Sequence, residues 1–460
     1  MNKRLLNMEN TQYLQFLEQK SQIGGSAGFK PNFIPDFLFD YQKYLVEWNL
    51  MKGKSATFAD TGLGKTPMFL VFAENIVRHT NKNVLILTPL AVSHQTCTEG
   101  EKFGIEVKRS RDGQPKGKIT VTNYQQLEKF DANDFGCVIL DESSAIKNFT
   151  GQTKTDVTRF MNKVPYRLLC SATPSPNDFV ELGTSSEALG QLKYMDMLAQ
   201  FFRDTSNDKN PQWSTPKYVL KGHADNDFWR WVCSWARAIR KPSDLGFDDS
   251  RHILPELLIK EHILQCTEPM PGELFVRKSV TLKDQRKERK ITLENRCEKV
   301  LELVQKHDNS IVWCHYNPEG DYLEKIIPES VQVSGSDSDE QKEEKFIAFE
   351  KGQIKRLITK PKIAGFGLNW QHCGHQTWFP SHSYEQYYQG IRRSWRFGRK
   401  DKVTIDLVTT EGELGVYNNI KRKSNDADKM FNLLVTHMQN ELQIKPKTHN
   451  NNLITLPKWI

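Results

Sequence analysis

The stretch ADTGLGKT, Ala59–Thr66, decides how the chain folds. It follows the phosphate-loop pattern, with Ala59 in the place of the usual first Gly and Gly64, Lys65 and Thr66 where the pattern requires them. Gly62 and Gly64 let the backbone curl so that N–H groups at Thr61, Gly62, Leu63 and Gly64 point inward around phosphate oxygens. Lys65 is placed to reach the β- and γ-phosphates of ATP, and the Thr66 hydroxyl to hold Mg²⁺. The surroundings agree. Ser55–Ala59 reads as a short buried strand, and Phe69, Ala73, Ile76 and Val77 recur as one face of a helix. Pro67 falls in that helix's first turn, where its missing N–H costs nothing.

Outward from the loop, apolar runs alternate with helical segments. Val84–Pro89, Ile119–Asn123, Cys137–Asp141 and Arg167–Thr173 read as strands of a parallel sheet covered on both faces. Ligands of such sheets bind at the carboxyl ends of the strands, which gathers Lys65, Asp141 and Thr173 at one edge. Asp141 closes an apolar strand, as a Mg²⁺-binding Walker-B acid does, and Glu142 beside it suits a general base for water. Upstream, Gln42 in the helical Phe37–Trp48 has an amide able to pair with the edge of adenine, although a surface Gln on an amphipathic helix would look the same.

Residues 186–285 break the alternation. They form a Trp-rich, largely helical insertion in which Phe228, Val232, Trp235 and Ile239 read as one buried helical face. Arg230, Arg237 and Lys241 fall on another face, either a phosphate-contacting stripe or a solvated surface. Glu256–Glu261 reads as the strand leading out.

From about Leu293 a second alternating unit begins, with strands Ser310–His315, Val331–Ser334, Arg356–Thr359, Gln376–Phe379 and Val403–Val408. It lacks a phosphate loop and carries QGIRRSWRFGRK, Gln389–Lys400. Arg393 and Arg396 lie three apart on one helical face, placed to cross a cleft and meet charge on a γ-phosphate.

The expected organisation is an N-terminal extension (1–30) and two tandem RecA-like α/β lobes (31–185 and 286–440). The insertion (186–285) lies between the lobes, and a tail (441–460) follows them.

Bulk properties narrow the function. The net charge of +8 fits a polyanionic partner. No apolar run is long enough to span a membrane, and MNKRLLNMEN has no apolar signal core, so a cytoplasmic protein is expected. The eight cysteines lie without a C-x-x-C pair, the usage of reduced thiols. His372, Cys373 and His375 lie close together, but no second ligand cluster completes a zinc site, and the segment reads as a structural loop.

Taken together the motifs resemble superfamily 2 helicases, and within them the Swi/Snf-like translocases, over roughly Phe37–Thr409. Tyr41-Gln42 looks like the Q motif and ADTGLGKT like motif I. Thr88-Pro89 and VTNYQQL resemble motifs Ia and Ib, DESSAIKN a DEAH-type motif II, and SATP motif III. IVWCHY, GFGLNW and QGIRRSWRFGR resemble motifs IV, V and VI. Three positions depart: Ser144 for the usual His, Arg392 for the usual Gly, and Arg399 for the usual Gln.

The resemblance implies ATP bound with Mg²⁺ at Thr66 and Asp141, Gly367 of motif V also at the nucleotide, and Arg393 and Arg396 as finger residues. Nucleic acid is expected to touch Thr88, Pro89, Thr122, Asn123, Lys147, Arg237 and Lys362. It implies an ATP-dependent motor on DNA, with duplex favoured by the motif II tail. An RNA helicase and an ATP-switched nucleic-acid clamp remain alternatives, and a protein partner could supply targeting. The insertion and YYQGIRRSWRFG look most like small helicases of bacteriophages and mobile elements, which would act in a bacterial host's cytoplasm.

Overall fold

A computed structural model describes residues 27–206, 217–265, 282–364 and 368–443. The expected helix Gln12–Lys20, the pair Gly365-Phe366 with Gly367, and nearly all of the tail lie outside these residues.

Two all-parallel sheets form the scaffold of two α/β lobes. The first contains β1 (Lys54–Ala59), β2 (Asn83–Thr88), β3 (Lys108–Arg109), β4 (Ile119–Asn123), β5 (Phe135–Asp141), β6 (Tyr166–Cys170) and β9 (Ala236–Ile239), in the order β3-β4-β2-β5-β6-β1-β9. Between β6 and β9, the strands β7 (Phe202–Asp204) and β8 (Tyr218–Leu220) form a small antiparallel pair of their own. The second sheet contains β10 (Leu257–Leu264), β11 (Ser310–Trp313), β12 (Ser330–Val333), β13 (Arg356–Thr359), β14 (His375–Trp378) and β15 (Val403–Thr410). Its order is β10-β15-β14-β11-β13-β12. The central strands are apolar and buried along nearly their whole length, as strands covered on both faces must be.

Within the largely helical stretch 186–285, two strands join the sheets. The expected single helix through Ile239 stops at Trp235, because Ala236 turns to φ −126°, ψ 150°, and the chain runs on as β9 beside β1. Phe228, Trp229, Val232 and Trp235 are fully buried in the first lobe's core. The exit strand reads as expected: β10 lies parallel to β15 at the edge of the second sheet.

After β15 the chain enters the long helix Leu414–Gln443. The helix leaves the second lobe and returns to the first, where Met430, Phe431, Leu434 and Met438 join that core. Arg240, just past β9, forms an ion pair with Asp428 of this helix (3.2 Å). No helix among the described residues is long and apolar enough to cross a membrane.

Candidate ATP site and nucleic-acid cleft

β1 ends at Ala59 and the chain turns through Gly62 (φ +90°) and Gly64 (φ +74°) into the helix Lys65–Thr80. A Cβ on Gly64 would strike the Gln42 amide, so the tight curl demands glycine there. The Lys65 ammonium folds back onto the Ala59 carbonyl (3.0 Å), holding the loop closed.

Gln42 does not face an open adenine pocket. It is buried, accepts from the Phe39 amide (2.9 Å) and donates to the Leu63 carbonyl (2.9 Å), with the Tyr41 hydroxyl donating to the same carbonyl (3.0 Å). With both ends of its amide engaged, Gln42 holds the loop from behind.

Asp141 ends β5, two strands over from β1, and Glu142 follows it. Tyr124 fixes them, its hydroxyl donating to the Asp141 carbonyl (2.7 Å). Burial, and then the neighbouring Glu142, push the Asp141 carboxyl far above the ordinary carboxylate range, while Lys65 opposes the shift. Glu142 itself adopts φ 52°, ψ 58°, a left-handed conformation that costs a non-glycine residue about 1–3 kcal/mol. Glu99 lies close by, hydrogen-bonded by Gln95 (3.2 Å), and burial raises its pKa while hydrogen bonds from Gln95 and Thr66 oppose that.

The second lobe closes this site through the helix Tyr384–Ile391 and the turn after it. The Glu142 carboxylate accepts from the Gln389 amide of the second lobe (3.5 Å) and from the Ser171 hydroxyl of the first (3.5 Å). Arg393 donates to the carbonyls of Leu368 (2.8 Å) and Gln389 (3.0 Å), and Arg396 donates to Leu368 (3.2 Å). Arg393 is buried and Arg396 half-buried, each within electrostatic reach of the acids, Arg393 of Glu142 and Asp141 and Arg396 of Glu99. Burial, and then Arg396, pull Arg393 down to about 9, so it stays protonated at neutral pH.

Two further contacts cross between the lobes. Asp60 pairs with Arg392 and accepts from the Tyr388 hydroxyl, all three largely shielded from water. Asp60 and Tyr388 carried no expectation from the motifs, and Arg392 stood out only as a departure. The signal was an acid inside the phosphate loop with an Arg where the motif usually has Gly.

Beside this site a cleft of ≈ 870 Å³ runs between the lobes. Of the residues expected to touch nucleic acid, Pro89, Lys147 and Lys362 line it. Lys147 is paired there with Glu385 of the other lobe. The structure does not bring the rest to its surface. Thr88 and Thr122 are buried, their hydroxyls donating to the carbonyls of Thr122 (3.5 Å) and Ser110 (2.9 Å). Asn123 is buried as a cap on the Gln126 amide (3.1 Å). Arg237 lies on β9, only 6% exposed, packed over the Trp48 ring (4.2 Å) and donating to the Ala236 carbonyl (3.1 Å). It is a core cation and not part of a basic stripe.

The basic wall comes instead from Arg109 and Arg111, in the run KRSRDG that begins with the short β3. The acidic helix Asp339–Glu350 of the second lobe faces them, presenting Asp339, Glu340, Glu343 and Glu350.

The residue set fits Mg-ATP. The curled glycine loop, the hydroxyl of Thr66 and the buried Asp141 carboxylate, costly to ionise with no cation beside it, are the donors such a group needs.

Residues 40–182 match the DEAD/DEAH box helicase family. No curated protein matches the sequence. Among solved structures, the chain is similar to a Sulfolobus solfataricus SWI2/SNF2 ATPase core in complex with dsDNA. The identity is 15% and the TM-score 0.41, over 91% of this chain and 97% of that one.

Proposed function

We propose that this chain, a nucleic-acid-stimulated ATPase of the helicase type, uses ATP hydrolysis to move along DNA, with duplex as its track. The observation that carries the reading is convergence. The phosphate loop and the Asp141-Glu142 pair of one lobe meet Gln389, Arg393 and Arg396 of the other at a single cleft edge.

In this reading Lys65 and the loop amides bind the phosphates, and Thr66 and Asp141 hold Mg²⁺, which would neutralise phosphate charge. Glu142, steadied by Ser171 and Gln389, takes a proton from the attacking water. Arg393 and Arg396 stabilise charge on the γ-phosphate, and their engagement draws the lobes together. Nucleic acid lies in the neighbouring cleft, held through its phosphates by Arg109, Arg111, Lys147 and Lys362, and so without much sequence preference. Closing and opening of the lobes then alters the two grips in turn. The Swi/Snf-like wording of DESSAIKN supports duplex DNA over RNA. A bacterial host cytoplasm and a separate targeting partner complete the reading.

The test is steady-state ATPase at low, fixed salt with no nucleic acid, single-stranded DNA, duplex DNA and RNA in parallel. Strongest stimulation by duplex DNA is expected. Stimulation by RNA alone would overturn the choice of track. Lys65→Ala should abolish turnover with the circular dichroism spectrum unchanged, and persistent turnover would overturn the site.

A further inference from the structure

The second lobe gathers histidines far from the ATP site, at a place the proposed motor does not use. His375 opens β14, Asp406 lies in β15, His262 lies in β10, and His307 follows the helix Leu293–Val304. The ligand atoms of His307, His375 and Asp406 all lie within 4.8 Å of one another. The two oxygens of Asp406 are shared out, one 2.8 Å from His262 Nε2 and the other 2.8 Å from His375 Nε2. The rings of His307 and His375 stack at 3.8 Å between centroids, 9° from parallel.

Sheet register explains the gathering. His375 pairs with Thr404 and Thr377 with Asp406, while Lys260 pairs with Asp406 and His262 with Val408. Alternation along each strand therefore sets His375, Asp406 and His262 on one face. The turn after Val304, whose carbonyl accepts from the His307 amide (3.2 Å), brings the remaining imidazole over them.

We propose that His307, His375 and Asp406 form a binding site for a divalent transition-metal ion of the zinc class, with His262 holding the Asp406 carboxylate from β10. Two imidazole nitrogens with one carboxylate oxygen are a donor set such ions take, three protein ligands leaving a fourth position for water. The site also has its outer support. The Ser310 hydroxyl lies 2.8 Å from His375 Nδ1. A hydroxyl can donate or accept, so it can accept a hydrogen bond from Nδ1–H and leave the Nε2 lone pair for the metal. Lys260, next to the site on β10, is exposed.

A metal here would clasp β14, β15 and the chain before β11, with the edge strand β10 joined through the hydrogen bond of His262 to Asp406. β10 is the first strand of the second lobe, so the ion would fasten the place where the chain arrives from the first. This assignment is independent of the motor reading.

The experiment uses the full chain, stripped with chelator and then dialysed against Zn²⁺, with bound metal quantified by atomic emission. Co²⁺ serves as the optical probe. His262 and His307 are only partly buried, so His262→Gln and His307→Gln leave the core intact. We expect one Zn²⁺ per chain, a rise in Tm on binding, and a Co²⁺ spectrum of nitrogen and oxygen ligation without a thiolate charge-transfer band. Each variant should lose at least about tenfold in affinity, and the double variant should lose both the stoichiometric ion and the Tm rise. Zinc uptake equal in the wild type and the double variant would overturn the site, as would a thiolate band in the Co²⁺ form. So would the absence of a bound ion in a wild type that is folded by circular dichroism.

Discussion

Arg392 of the second lobe reaches into the phosphate loop of the first and pairs with Asp60. Neither charge has much access to water, the side chains being 3% and 5% exposed, so each depends on the other. Removing one partner of such a pair costs about 3–5 kcal/mol, because a charge is left buried and unpaired. Asp60→Asn should therefore lower stability more than Asp60→Asn/Arg392→Gln together, a negative coupling that a double-mutant cycle of thermal melts would reveal. Without nucleotide, Asp60→Asn should also separate the lobes, read as a larger radius of gyration by small-angle scattering. Additive effects would show that the pair is not coupled.

The lobe-crossing contacts to Glu142 predict a separation of kinetic constants. Arg393→Ala and Arg396→Ala should each lower kcat by on the order of 10³-fold, with nucleotide still bound. Gln389→Ala, which removes a contact to Glu142 and an acceptor for Arg393 (3.3 Å), should lower kcat less, with KM for ATP little changed. Measuring kcat and KM for the three variants checks the ranking.

The raised Asp141 carboxyl predicts a pH dependence. The folded, nucleotide-free chain holds this proton where the unfolded chain, with its carboxyl near 3.9, has released it. This contribution to stability is full below about pH 4 and is lost as pH rises through the raised folded value. Mg²⁺ needs the ionised form, so Mg-ATP affinity should weaken as the medium is acidified below that value. Asp141→Asn should flatten both dependences, and calorimetric titration in buffers of different ionisation enthalpy would detect the proton released.

Arginine positions separate groove from core. Arg109→Ala and Arg111→Ala should weaken DNA binding across sequences and reduce the slope of log K against log salt by about 1 each. Arg237→Ala should leave that slope alone and instead cost stability, about 2 kcal/mol for lost bonds from a buried cation. A salt titration and a melt on the same samples distinguish the two.

The order of chemistry along the first lobe was readable because ADTGLGKT, Thr88-Pro89, VTNYQQL, DESSAIKN and SATP each lie at the end of an apolar strand, and parallel topology sends strand ends to one edge. What escaped reading lies where local period is ambiguous. The strand Ala236–Ile239 is buried at every position, and four apolar-rich residues continuing a helix carry no signature of their own. Thr88, Thr122 and Asn123 end strands as the motif resemblance requires, but their polar groups turn inward to neighbouring backbone, which only the pleat and register decide. Arg109 and Arg111 stood in a visibly basic run, yet a two-residue strand gave nothing to place that run on the cleft. His375 was legible beside Cys373, whereas its companions Asp406, His262 and His307 come from other strands and turns and meet it only through sheet register.

Both covalent crossings between the lobes leave the first lobe at one place. The chain departs after β9 and the long helix comes back beside it, joined by Arg240 and Asp428. That spot is a fulcrum at one margin of the first sheet. The phosphate loop follows β1, the adjacent strand, and Arg109 ends β3 at the opposite margin. At about 4.8 Å per strand, the loop stands one spacing from the fulcrum and Arg109 six, roughly 29 Å. In the proposed motor, a small rotation driven at the γ-phosphate would be worked on the short arm, and the wall opposite Arg109 and Arg111 would sweep about six times as far.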